Sequence, residues 1–348
     1  MSKTKNNKRM VAVDWAWKEE KVAVWNGTGE MKSKLPKPED VDLIVTENAP
    51  PKLMKPFLDA GVPVMRCSGN SSADHRTSLG YKKDHTPLGD KNDAWIIRDL
   101  YKCKPEKFRP MKPPTPLKLL YVNYYQLIKQ IAAVKNRQWA SDDEDNKEYL
   151  EGLEKAKNLL LKKMRRELKK YKVWTEFGVK IKGVGPALVA GLVAEIQDIG
   201  KFDNVSNLNA YGGVHVEDGK CVARKKGEVY PVNSRLKSLV TELIPSQFVR
   251  HKTPVYRGIY DAEKAKSAAI MEADKDLPKD ERRVKNGMHV ERRARRKAGK
   301  IFLHHFWKEW RLAEGLPVPL PWILEQGGHS KEILPPTAYP GHDQEEAA

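Results

Sequence analysis

Five prolines interleaved with cations, in KPEKFRPMKPPTPLK at residues 104–118, divide this chain into two stretches with different folding rules. Proline removes a backbone donor and holds φ near −65°, so a stretch this rich in it is extended and ends the element before it. On its N-terminal side the apolar residues come in short β-branched runs. On its C-terminal side they recur at helical spacing over long segments. The pattern predicts a linker over 104–115 with an α/β domain before it and helical domains after it.

Residues 9–103 read as that α/β domain. RMVAVDWA and EKVAVWNG are β-rich and separated by the polar WKEE, which predicts a hairpin opening a sheet. The VDLIVTE strand, the PKLMKPFLDAG helix, the VPVMRCS strand and the AWIIRDLYKC helix follow. That order, a strand hairpin and then alternating strands and helices, resembles the ribonuclease H type of nuclease core.

Four acids stand at special places in this order. Asp14 and Glu47 follow apolar runs, and Asp90 and Asp93 lie three apart at the start of a helix. Strand ends and a helix start are rigid, so their carboxylates can converge, and grouped hard oxygens suit Mg²⁺ and phosphodiester chemistry. A second reading stays open from spacing alone: Asp90 caps the helix that Asp93 begins, and both meet its positive dipole end. Glu47 closes a run whose Leu43, Ile44 and Val45 read as buried, where an acid requires a partner or a metal.

The substrate class follows from charge. Lys plus Arg number 64 against 46 acids, a formal +18 with pI near 9.5, so a polyanion is attracted in ordinary salt and nucleic acid is the default partner. No apolar run approaches the ~18 residues of a membrane helix, and MSKTKNNKR carries cations with no apolar stretch behind it, so the expected location is cytoplasmic. Cys67, Cys103 and Cys221 are odd in number and widely spaced, which argues against disulfides and structural zinc.

Beyond the linker, LKLLYVNYYQLIKQIAAVKNRQWA and KEYLEGLEKAKNLLLKKMRRELKKYKVW predict an antiparallel helical hairpin over 116–172, turning at ASDDEDN. Its KKMRRELKKYK face is open to two readings, a solvated surface or a nucleic-acid or subunit contact. A third domain spans 173–315. In it IKGVGPALVAGLVAEI has the form of a helix-hairpin-helix element, in which Gly183 and Gly185 permit a tight turn that brings amides to a phosphate and Pro186 starts the next helix. A glycine turn between two helices that only pack together reads the same way. The last helix sets Arg292, Arg293, Arg295 and Arg296 before an aromatic face of Phe302, Phe306, Trp307 and Trp310, which reads as core. Residues 316–348 read as a poorly ordered tail.

Together these pieces resemble the DEDD transposases of insertion sequences related to the Piv DNA invertase, some of which are bridge-RNA-guided recombinases. Asp14, Glu47, and Asp90 with Asp93 in DKNDA match the family's four acids. GVGPALVAGLVAEIQDIGKFDNVSNLNAYGGV is similar to its long C-terminal block, and RARRKAGKIFLHHFWKEW resembles its terminal helix. The resemblance implies a RuvC-like first domain, a hairpin used for oligomerisation into a homodimer or homotetramer, and a transposase domain. It also implies Mg²⁺ held by the four acids, DNA as substrate, and in the guided branch a structured RNA. In such enzymes a serine attacks phosphorus, and a phosphoserine bond conserves the energy for strand exchange.

One departure bears on that step. Where the family places its serine, in a segment of the form S-x-G, this chain has Glu217 before Gly219. Ser234, in PVNSRLKS, is the alternative nucleophile, and its plainer reading is a helix N-cap or a surface hydroxyl. A divergent nuclease that uses water, and a lapsed enzyme that only binds nucleic acid, are the other readings.

Overall fold

The chain forms two compact units, Met1–Pro114 and Thr115–Ala348. The structure is a computed structural model that describes residues 9–16, 21–25, 31–32, 34–81, 87–111, 115–141, 144–217, 220–223, 232–320 and 332–339. In the first unit, strands β1 (Met10–Ala16), β2 (Lys21–Trp25), β3 (Met31–Lys32) and β4 (Leu43–Thr46) lead to helix α1 (Pro51–Asp59) and strand β5 (Val64–Arg66). Helices α2 (Gly69–Ser78) and α3 (Pro87–Cys103) and strand β6 (Arg109–Pro110) complete it. The six strands make one mixed sheet in the order β3-β2-β1-β4-β5-β6. The expected β1–β2 hairpin is present, and β4 and β5 join parallel to β1.

Strand alternation assigns the two sheet faces. Val11, Val13 and Ile44 pack with Met54 and Phe57 of α1, whereas Ala12 and Val45 pack with Ile97 and Leu100 of α3. Part of the proline-rich stretch is docked here as well. Phe108 joins the α3 core, Met111 joins the α1 core, and β6 pairs antiparallel with β5 at the sheet edge, where the missing donor of Pro110 is tolerated.

In the second unit, α4 (Pro116–Ser141) and α5 (Glu144–Leu168) pack against each other as the expected hairpin. It is followed by α6 (Lys172–Glu176), α7 (Pro186–Ile196), α8 (Val205–Tyr211), and a two-stranded ribbon of β7 (Val216–Glu217) and β8 (Lys220–Cys221). Next come α9 (Ser234–Ser238), a π segment (Leu239–Leu243), α10 (Ile244–His251), α11 (Tyr256–Ala273) and α12 (Gly287–Ala313). The base of the hairpin belongs to the same core, through Leu117, Tyr121, Met164 and Leu168. At the centre of that core, Phe302 of α12 lies 5.5 Å from the rings of Phe248 and Tyr256 and 6.1 Å from Phe177. The aromatic face of α12 is thus core, as its spacing predicts.

Past α12, Leu316 and Val318 pack on the core. Lys308 pairs with Glu332 at 2.8 Å, His305 Nε2 lies 2.7 Å from the Ile333 carbonyl oxygen, and Pro335 and Pro336 are buried. The described part of the expected tail is therefore tied to α12, because it supplies a carboxylate and a carbonyl acceptor where α12 offers a cation and a histidine. No described helix is long and apolar enough to cross a membrane.

Candidate functional site

Three of the four predicted acids come from different elements and reach the same side of the first sheet. Asp14 has the parity of Ala12 and so faces α3, and it is only 8% exposed. The parallel register of β1 and β4 ends at the pair Val13–Thr46, so Asp14 and Glu47 each directly follow a paired residue of adjacent strands. Asp93 stands one turn before Ile97, on the sheet-facing stripe of α3. Asp90 lies a further turn towards the start of that helix, and its side chain is outside the described residues.

The link between Glu47 and Asp93 is helix α2. Ser72 Oγ donates a hydrogen bond to the Glu47 carboxylate, and the Arg76 guanidinium pairs with Asp93. Ser72 and Arg76 are one turn apart on the same face of α2, so one helix holds both carboxylates. Gly69 makes room for Glu47, since a Cβ there would come within 2.9 Å of Oε1. Burial, reinforced by the Glu47 charge, pushes the neighbouring Cys67 thiol up to about 12. Carboxylate oxygens are the ligand type that Mg²⁺ takes. Among the described residues, no three His, Cys, Asp or Glu side chains are gathered closely enough to hold a metal as they stand, with Glu47 and Asp93 engaged by α2.

Neither Ser72 nor Arg76 stands out in the sequence, because GNSSADHRTS has no apolar period. The available cue is Ser68, whose side chain accepts the Ser71 amide at 3.2 Å and caps the helix directly after β5.

In the second unit a single buried acid organises the region around Ser234. Glu195, at the end of α7 and 5% exposed, accepts Lys118 Nζ of α4 at 2.6 Å and Asn233 Nδ2 at 3.0 Å, with Arg235 at 3.7 Å. Tyr211 Oη donates to the Glu195 carbonyl at 3.1 Å and accepts from Asn233 Nδ2 at 2.9 Å. Burial, and then the Glu195 charge, raises the Tyr121 phenol beside this group. Asn233 Oδ1 in turn accepts the amides of Arg235 and Leu236 at 3.1 and 3.0 Å. Asn233 is therefore the cap of α9, and Ser234 occupies the first helical position with an exposed side chain. The described hydrogen bond of Ser234 is made by its carbonyl, which accepts Ser238 Oγ at 3.1 Å. The Glu217 side chain and Gly219 lie outside the described residues.

Gly183 has φ of +81°, and a Cβ there would meet the His251 ring at 2.8 Å, so glycine is required twice over. Gly185 precedes α7, with Pro186 at its first position. Beside them is a cleft of about 490 Å³ whose lining includes Arg165, Lys169 and Trp174. The α12 arginines separate into different environments. Arg293 reaches Ser267 Oγ at 3.1 Å, and Arg295 pairs with Glu291 at 2.7 Å. Arg296 donates to the Val214 carbonyl at 3.4 Å, and Arg292 is exposed.

The family described as Transposase IS116/IS110/IS902 matches residues 179–261, the span that contains Gly183, Glu195, Tyr211, Asn233 and Ser234. This match supports an insertion-sequence transposase, an enzyme acting on DNA. A search of curated proteins finds no match to the chain.

Proposed function

We propose that this chain is a Mg²⁺-dependent DNA transposase that acts as a site-specific recombinase, with strand cleavage carried by Asp14, Glu47, Asp90 and Asp93. The observation that carries the reading is the arrival of Asp14, Glu47 and Asp93 on one side of the first sheet, in a chain whose second unit matches a transposase family. We read that sheet as RuvC-like. Asp14 and Glu47 lie on or just past adjacent strands and Asp90 and Asp93 on the first turns of α3, and the four would hold Mg²⁺ once Glu47 and Asp93 exchange their α2 partners for the ion. The bound ion supplies charge stabilisation at the phosphate and activation of the attacking oxygen.

Ser234 is the candidate nucleophile. Its hydroxyl is exposed, and its backbone is held through the Asn233 cap and the Glu195 group behind it. Its oxygen would bond to phosphorus as the strand ester breaks, leaving a phosphoserine link for rejoining. Gly183, Gly185 and Arg292 are assigned to the DNA backbone, with Arg293, Arg295 and Arg296 supporting the same surface. The assembly is a homodimer or homotetramer in the cytoplasm, and a structured RNA, where present, would select the target through base pairing.

A second reading, hydrolysis by water, is favoured by Glu217 at the place where the family's serine stands. One experiment separates the two. Labelled supercoiled DNA is cleaved with Mg²⁺ and co-purified RNA, and the products are run on a denaturing gel with and without proteinase. Label that enters only after proteinase supports covalent capture, and Ser234→Ala then abolishes it. Label that enters equally in both lanes makes water the nucleophile.

A further inference from the structure

Helix α2 is too polar to be held by apolar packing, and the described side-chain anchors that tie it to the rest of the unit are carboxylates. Ser72 donates to Glu47, Arg76 pairs with Asp93, and His75 Nε2 lies 2.9 Å from Asp99. The Arg76 side chain is 8% exposed, so its guanidinium requires an anion in every state of the protein. Asp93 supplies that anion here. Asp93 is also one of the acids proposed to hold Mg²⁺, and a dication that draws in its carboxylate leaves Arg76 buried without its counter-charge. The anion that arrives at such a site is the DNA phosphate, and a planar guanidinium suits it through two parallel hydrogen bonds. The His75–Asp99 contact involves none of the four acids, so α2 remains anchored while Arg76 changes partner.

We propose that Arg76 is a substrate-binding residue of the acid site, which holds Asp93 before the metal is bound and a phosphate of the DNA strand after it. The proposal rests on the metal reading of the four acids. Arg76 thus delays metal capture until DNA is present and then helps to fix the strand.

The test uses the full chain and two readouts other than cleavage. Calorimetric titration with Mg²⁺ gives metal affinity, and fluorescence anisotropy over a salt series gives DNA affinity, once with Ca²⁺ and once with EDTA. Arg76→Gln keeps a donor for Asp93 but loses the charge. It should bind Mg²⁺ at least about tenfold more tightly, because a cation beside the site is gone. Its log affinity against log salt should be shallower by about 1 with Ca²⁺, the loss of one phosphate contact, and unchanged in EDTA. Arg76→Lys keeps the charge, should bind Mg²⁺ within about threefold of the parent, and carries the test if the Gln variant fails to fold. Unchanged or weaker Mg²⁺ binding by Arg76→Gln, more than about tenfold tighter binding by Arg76→Lys, or a salt slope that falls equally with Ca²⁺ and EDTA, overturns the exchange. Asp14→Asn separates the two levels. Its Mg²⁺ affinity should fall more than about tenfold, and an unchanged isotherm would sink the metal reading itself and this proposal with it.

Discussion

Glu195 in the second unit and the acids of the first unit are carboxylates in opposite circumstances. Around Glu195, partners from α4, the segment before α9 and α9 itself face one buried acid, and each meets it at hydrogen-bonding or ion-pair distance. At the acid site several carboxylates share one sheet face, and two of them are held by a single polar helix through Ser72 and Arg76. A carboxylate satisfied from all sides ties elements together. Carboxylates brought close to one another repel, and on the reading proposed above a bound cation would offset that cost. Residue type and burial alone do not distinguish the two cases; the elements that supply the partners do.

Four measurements would break or sharpen that contrast. The largest effect is expected from Asp14→Asn, which should reduce DNA cleavage at least about a thousandfold, about 4 kcal/mol of barrier, while DNA affinity by anisotropy changes less than about threefold. Cleavage retained in this variant and in Asp93→Asn would remove the functional half of the contrast.

Glu195→Leu should act on folding instead. It leaves Lys118 without its acceptor and removes one of the two acceptors of the Asn233 amide, and should cost about 3–5 kcal/mol in urea denaturation, against less than about 1 kcal/mol for Glu47→Gln, whose amide oxygen still accepts Ser72. Similar losses in the two variants would mean that the acids of the first unit are equally structural.

A pH-dependent effect belongs to the second unit. Burial, followed by the neighbouring Lys300, pushes the His304 imidazole from its usual 6.5 down to about 3. The folded protein keeps it neutral while the unfolded chain takes up a proton below about 6.5. Acid therefore favours unfolding, and this contribution to stability is lost as pH falls from 6.5 towards 3. Melting temperature against pH should flatten over that window in His304→Gln relative to the parent chain.

The smallest effect compares two arginines of α12. Arg292→Ala should lower the salt slope of DNA binding by about 1 with stability unchanged, because its side chain is exposed. Arg295→Ala, which removes an ion pair to Glu291, should lower stability by about 1 kcal/mol and leave the slope alone. The reverse outcome would place the DNA-facing side of α12 elsewhere.

Much of this architecture was legible without coordinates, for physical reasons that differ by element. The β1–β2 hairpin, β4, α1, β5, α3 and the α4–α5 pair were readable because each buries one face and so repeats its apolar residues at its own period. Asp14, Glu47 and Asp93 were readable as candidates because they adjoin the apolar runs of those elements, although β1 continues to Ala16 and α3 begins at Pro87, so only Glu47 stands at an element's end. The docked Pro105–Met111 segment and the contacts of residues 332–339 were not, since single residues such as Phe108 and Pro335 carry no period. Helix α2 was illegible because its anchors are side chains of distant elements.

By itself the sequence determined the alternation of elements, the positive charge that calls for a polyanion, and which acids occupy rigid positions, since all of these are local or additive. Tertiary structure alone decided that Asp14 and Glu47 follow paired residues of adjacent strands, that Arg76 holds Asp93, that Asn233 rather than Ser234 caps α9, and that Glu195 is a structural hub. Each of these depends on register and on contacts between residues distant in the chain, and a carboxylate's role follows from the charges that folding brings around it.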